Sequence, residues 1–362
     1  MKKIVWITAD YFIDVDFQIV PYMKEVLGMD IQWKVIRTNK NIYVDNSLDC
    51  EIYELSHKSM DPRVLFDYKR IFSDVVADDI SLVYSDFVGF PYYYFYLFHK
   101  FDRKKIIHAA HNIIPYSGWP HKRLMTRYLN FVFSYGENFH IFSKHLVDYF
   151  CSRFSGKSIM LCPMTVKSYG DEITDEFHMD ESKLNLLFFG NIKLNKRLDL
   201  AISAIKQLPC GIQENVSLLI AGKCDDASEY LAQIGDCKSI KTYFKRVDDK
   251  FIPELFTKCD YLLLPYSNVA QSGPHMIAYA YDMPVIASDI DGFSEHVEDG
   301  QVGFLFQANN VDSLVDTIVK AYESRGERYA EMKRKLKEKV DGTYSVESVA
   351  SKYLNYFKSI CK

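Results

Sequence analysis

The stretch YLLLPYSNVAQSGPHMIAYAYDMPVIAS, from Tyr261 to Ser288, constrains the fold more than any other. Leu262-Leu263-Leu264 is an apolar run short enough for a strand buried on both faces, and Pro265 ends it. A polar turn with Gly273 follows, then an apolar segment with helical character through Tyr281, then a second strand from Pro284 to Ala287. Strand, loop of small residues, helix and strand make a βαβ unit, and βαβ units build parallel sheets. In such sheets ligands gather at the carboxyl ends of the strands. The loop N–H groups and the helix N-terminus there favour an anion.

Further strands are expected at Lys3 to Thr8, Ile31 to Arg37, Glu51 to Leu55, Leu82 to Tyr84, Ile106-Ile107 and Phe139 to Phe142. A second series covers Leu184 to Phe189, Val216 to Ala221 and Tyr243 to Val247. The 362 residues suffice for two domains of ordinary size, and 48% apolar residues supply their cores. The segment 166–183 is mixed in polarity, rich in acids and without apolar period, so it reads as a linker. The expected fold class is α/β. A doubly wound Rossmann-like domain covers 1–165 and a second covers 184–343, with a closing helical segment at 344–362.

A net charge of −4 argues against a general nucleic-acid binder. Eight cysteines at irregular spacing, with no CxxC pair, suit reduced thiols in the cytoplasm and not a zinc site. The start, MKKIVWITADYF, reads as a first strand and not as a signal peptide.

Several pieces of the C-terminal half resemble the retaining GT-B glycosyltransferases of family 4, the group 1 glycosyl transferases. They are Ser272-Gly273, Ala278, Pro284 to Ser288, Gly292, Glu295, Gly300 and Gly303, with Leu187 to Gly190 followed by Lys193 and Lys196. The resemblance implies two Rossmann-like domains facing a central cleft, with the last helix crossing back to the first domain. It also implies transfer of a hexose from a UDP- or GDP-linked sugar to a glycan or lipid-linked saccharide, in bacterial surface polysaccharide synthesis. No cofactor and no metal are expected, because cationic side chains can neutralise a departing diphosphate.

On that resemblance Lys193 and Lys196 carry the leaving group, and Gly190, Asn191, Gly222, Gln271, Ser272, Gly273 and His275 hold the donor. Glycine at 190 permits close backbone approach. Two cations beside a helix start suit a diphosphate. Ile106-Ile107 places His111-Asn112 at a strand end, before Pro115. The family has a His-Asn pair there, so His111 is expected beside the transferred sugar and Asn112 near the acceptor. Asp14 and Asp16, in the loop after the first strand, are candidate acceptor contacts or helix caps.

Three departures from the family stand out. The first βα loop has no glycine before Gly28, Arg197 stands where relatives often have glycine, and the paired glutamates are replaced by Val269 and Ile277. Those losses keep two other readings open: a GT-B epimerase or hydrolase acting on sugar nucleotides, and a catalytically silent GT-B partner protein. Aromatics at 15% include the run FPYYYFYLFHK at 90–100, followed by Arg103, Lys104 and Lys105. With Lys122, Arg123 and Arg127 they suggest peripheral contact with an anionic membrane surface.

Overall fold

The computed structural model describes residues 3–38, 47–111, 113, 121–269 and 271–361. The chain divides into two compact units, one formed by Met1–Thr165 with Tyr344–Lys362 and the other by Val166–Thr343.

The first unit is built on a seven-stranded sheet, β1 (Lys3–Ala9), β2 (Ile31–Arg37), β3 (Glu51–Glu54), β4 (Ile80–Asp86), β5 (Ile106–Ala109), β6 (Asn138–Ile141) and β7 (Ser158–Leu161). Every pairing is parallel and the spatial order is β3-β2-β1-β4-β5-β6-β7. The order reverses between β1 and β4, which opens a crevice at their carboxyl ends. Strand β7 was not foreseen, because SIML is too short and half-exposed to show a pattern.

Helix Val346–Ile360 completes this unit. Its Tyr353 and Phe357 rings lie 5.5 and 6.2 Å from Trp6, which itself stacks on Tyr84 at 4.0 Å. These side chains are almost fully buried, so polar atoms among them need partners. The His140 Nε2–H donates to the Cys162 carbonyl (2.8 Å), so Nδ1 accepts from the Tyr84 hydroxyl (2.6 Å).

The second unit repeats the design with β8 (Leu184–Phe189), β9 (Val216–Ala221), β10 (Ile240–Tyr243), β11 (Tyr261–Leu264), β12 (Val285–Ser288) and β13 (Gly303–Phe306). All pairings are parallel, in the order β10-β9-β8-β11-β12-β13. Every residue of β8, β9, β11 and β12 is buried, which is why these strands read as largely apolar runs, broken only by Asn185, Ser217 and Ser288. Strand β10 lies three residues earlier than the sequence suggested. The aromatic and basic stretch Phe244 to Val247 follows it as loop.

Residues 166–183 pack on the second unit, contrary to the linker reading. Glu254 causes this. Its buried carboxylate accepts from the Thr174 hydroxyl, the Glu176 and Phe177 amides (3.1 and 2.8 Å) and Lys258 (2.9 Å). Burial alone would raise its pKa, but those donors outweigh burial and bring it to about 2. The folded value lies below the unfolded value of about 4.3, so the contribution is full above that value and is lost as pH falls toward 2. Glu254→Gln is expected to cost about 3 kcal/mol near pH 7. Urea melts of variant and wild type should converge as pH approaches 2, and parallel pH curves would refute the assignment.

Candidate functional site

In the second unit the switch point lies between β8 and β11, whose following loops meet. Gly190 ends β8 with φ of 99°, and its N–H donates to the Ala221 carbonyl (3.0 Å). A Cβ at Gly222 would stand 2.0 Å from the Gly190 carbonyl oxygen, so the ends of β8 and β9 touch through bare backbone. The loop after β11 is laced to the loop after β8. Ser267 N donates to the Asn195 carbonyl (2.8 Å), and Asn195 Nδ2 donates to the Asn268 carbonyl (3.3 Å).

Lys196 folds back over this turn. Its Nζ would lie 3.1 Å from a Cβ at Gly190, and it sits 5.4 Å from the centroid of the Tyr266 ring. No carboxylate pairs with it among the described residues, and burial alone pulls its pKa down to about 8. An ammonium desolvated without a counter-ion is a ready partner for an incoming anion. Lys193 differs. It is exposed and pairs with Asp225 (3.3 Å), which also pairs with Lys223 (3.3 Å). Asn191 is exposed beside it.

Helix Gly273–Ala280 opens the facing wall. Ser272 caps it, its hydroxyl oxygen accepting from His275 N (3.3 Å), and Pro274 occupies the first turn. Gln271 and Gly273 are half-buried at this entrance. His275, expected among the donor contacts, is 1% exposed. Its ring packs on Tyr279 (4.2 Å), Phe293 and His296 (both 5.7 Å), and burial holds its pKa well below the ordinary value. It is a neutral core residue, because it lies on the face of the helix turned toward Phe293.

In the first unit a cavity of about 900 Å³ opens at the ends of β1, β4 and β5. His111 is on its wall, with Tyr11, Phe12, Phe87, Phe90 and Met125 among the other lining residues. The imidazole is sandwiched between Phe12 (3.9 Å, 18°) and Phe142 (4.2 Å, 22°). Its Nε2 lies 2.7 Å from Asp86 Oδ1, and both side chains are buried. Burial raises the Asp86 pKa, against the lowering effect of His111. The sequence marked Asp86 only as a strand end. Its pairing with His111 depends on β4 and β5 being neighbours, which the sequence alone does not give.

Asp14 and Asp16 lie in the helical turn Ile13–Asp16, and neither holds the N-cap position of that turn or of helix Ile19–Glu25. Asp14 is half-buried. Asp16 is fully buried, not an exposed loop contact. Its Oδ2 accepts from Trp6 Nε1 (2.9 Å) and from the Thr8 hydroxyl, which in turn accepts from Trp33 Nε1 (2.8 Å). Burial and then Asp86 raise its pKa. Asn112 and Pro115 lie outside the described residues.

Residues 171–339 match the model of the family described as glycosyl transferases group 1. Just under half of the chain is thus similar to the group 1 glycosyl transferases. A curated relative, an uncharacterized 41.2 kDa protein in the cps region of Klebsiella pneumoniae, is 24% identical over 188 residues. That match spans 51% of this chain and 49%, about half, of the relative. A glycosyltransferase from Rickettsia africae is 15% identical with a TM-score of 0.77, covering 100% of this chain and 99% of that one. Anabaena HepE, solved in complex with UDP-glucose, is 14% identical with a TM-score of 0.74 over 99% and 100% of the two chains. The fold of the whole chain is therefore that of the GT-B glycosyltransferases.

Two departures from the pattern of the group 1 glycosyl transferases acquire a physical account. Arg197 adopts φ 52°, ψ 49°, the left-handed region where glycine is the easy residue. Its guanidinium compensates by bonding Asp199 (2.8 and 3.0 Å) and the Asn309 side chain. Ile277, at a family glutamate position, is 5% exposed inside helix Gly273–Ala280, where a lone carboxylate would be costly.

Proposed function

We propose that this protein is a glycosyltransferase that moves a sugar, with retention, from a nucleotide-diphosphate sugar to a saccharide or lipid-linked saccharide acceptor. The observation that carries the reading is Lys196, a desolvated ammonium with no carboxylate partner among the described residues, folded over the Gly190 turn. The bond from the anomeric carbon to the diphosphate oxygen breaks, and the bond to the acceptor oxygen forms on the same face. The departing phosphate takes the acceptor proton. Lys196 neutralises the growing negative charge, assisted by Lys193 and by the N–H groups at the Ser272-Gly273 helix start. His111 stands beside the transferred sugar, and the cavity of the first unit receives the acceptor.

HepE in complex with UDP-glucose supports a UDP-linked donor, and the relative in a cps region supports a role in surface polysaccharide synthesis. A panel of UDP- and GDP-sugars tests the donor. A ligand near ~100 times its dissociation constant adds about 2.7 kcal/mol, which raises Tm by roughly 5–10 °C. A stabilising donor should also release its nucleoside diphosphate when a saccharide acceptor is supplied. Neither stabilisation nor release with any donor would refute the transferase reading.

We further propose that the first unit docks on the inner face of the membrane. No helix among the described residues is long and apolar enough to cross a membrane. In the run 93–100, Tyr93, Tyr94 and Leu97 are core, while Phe95 is 52% exposed and stacks on Phe131 at 4.5 Å. Exposed Leu124 and Tyr135 continue this face on helix Lys122–Tyr135, beside exposed Lys122, Arg123 and Arg127. The expected result is flotation with anionic liposomes at low salt and release at high salt. Flotation that ignores lipid charge would refute the electrostatic part, and no flotation at all would refute the docking.

A further inference from the structure

The cavity of the first unit has a chemistry of its own. Rings of Tyr11, Phe12, Phe87 and Phe90 contribute to its lining, which suits the C–H faces of a pyranose. Three carboxylates stand behind the lining, and each is already bonded to it. Asp10 accepts from Thr38 N and Oγ1 (both 2.8 Å), Asp86 pairs with His111, and Asp67 accepts from Ser56 N and His57 N (both 3.1 Å). All three are nearly fully buried. Lys58 is the opposite case. It lines the cavity, is exposed, and has no ion pair or side-chain hydrogen bond among the described residues. Its loop is built rather than loose. Asp67 holds the two preceding amides and also the His57 ring (3.0 Å), and the Lys58 carbonyl accepts from Asp61 N (2.9 Å).

Asp10, Asp67 and Asp86 Oδ1 are engaged by these bonds and Asp86 Oδ2 is buried, so among the described lining residues Lys58 presents the one exposed ammonium. We propose that the saccharide bound here is anionic, its carboxylate or phosphate meeting the Lys58 ammonium while the sugar ring lies on the aromatic wall. The inference rests on the reading of this cavity as the acceptor site and adds the acceptor's chemical class. A sugar acid and a sugar phosphate share the chemistry that Lys58 recognises, so the test carries an arm for each.

Three probes are titrated at low salt into the full chain: 4-nitrophenyl β-glucoside, 4-nitrophenyl β-glucuronide and glucose 1-phosphate. At least one of the two anions should bind about fivefold more tightly than the neutral glucoside, the factor a single charge-assisted contact supplies. The anion that leads distinguishes a sugar acid from a sugar phosphate. Lys58→Met should abolish the preference and leave glucoside affinity unchanged. Equal affinities in the wild type, or a preference that survives Lys58→Met, would overturn the proposal. Phe12→Ala separates the two levels. If it leaves glucoside binding intact, the acceptor-site reading fails and the inference fails with it. If it weakens all three probes while no anion is preferred, the site stands and only the charge inference falls. No binding of any probe at millimolar concentration overturns both.

Discussion

Lys196→Ala is expected to lower kcat by about 100- to 1,000-fold, the loss of about 2.7–4 kcal/mol of transition-state stabilisation typical of one preorganised donor at a developing oxyanion. The size follows from the surroundings of the ammonium. It is desolvated, meets no carboxylate among the described residues, and lies over the Gly190 turn. An anion arriving there meets a half-buried charge that water screens only in part. The same desolvation means the folded protein gains nothing from Lys196, so the variant should keep or slightly raise its Tm. Lys193→Ala should do much less, because Lys193 is exposed and shares Asp225 with Lys223. Equal losses from the two variants would show that the exposed lysine reaches the diphosphate as well. A Lys196→Ala enzyme with wild-type kcat would remove the residue from the chemistry.

The second large effect is expected at the His111–Asp86 pair. His111→Ala should lower turnover by roughly 10- to 1,000-fold with little change in donor affinity. Asp86→Asn should reproduce most of that loss although it touches no substrate. The Asp86 carboxylate accepts from Nε2–H and so fixes the tautomer, while Phe12 and Phe142 fix the ring plane. An asparagine amide in its place can donate to Nε2, which inverts the tautomer without changing shape. A double-mutant cycle decides between a positioning role and a general structural one. If Asp86 acts through His111, Asp86→Asn should have no further effect on turnover in the His111→Ala background. Additive losses, or a fall in Tm that accounts for the lost turnover, would exclude the positioning role.

How far the sequence reaches depends on which interactions fix each part. Strands β8, β9, β11 and β12 were legible because both faces are buried, so the apolar run is the strand. A motif singled out Gly190, Lys193 and Lys196, but the difference in surroundings between Lys196 and Lys193 was not legible. That difference depends on Asp225, which follows a different strand, β9. The segment 166–183 was misread because the group that holds it, Glu254, looks in sequence like one charge on an amphipathic helix. Asp16 looked like a loop carboxylate because its partners are the Trp6 indole N–H and the Thr8 hydroxyl from β1, which no periodicity announces. His275 looked like a ligand contact because a short apolar helix gives no sign of which face is inward. In each miss, the deciding partner came from another strand or helix.

The return of helix Val346–Ile360 to the first sheet imposes an order on synthesis. Trp6 and Tyr84 leave the ribosome early, yet the rings that cover them, Tyr353 and Phe357, emerge only after the whole second unit has been made. The first unit must therefore wait with an aromatic face uncovered while a complete Rossmann-like domain folds behind it. Its partly made form is the stage of this protein's life most in need of a chaperone.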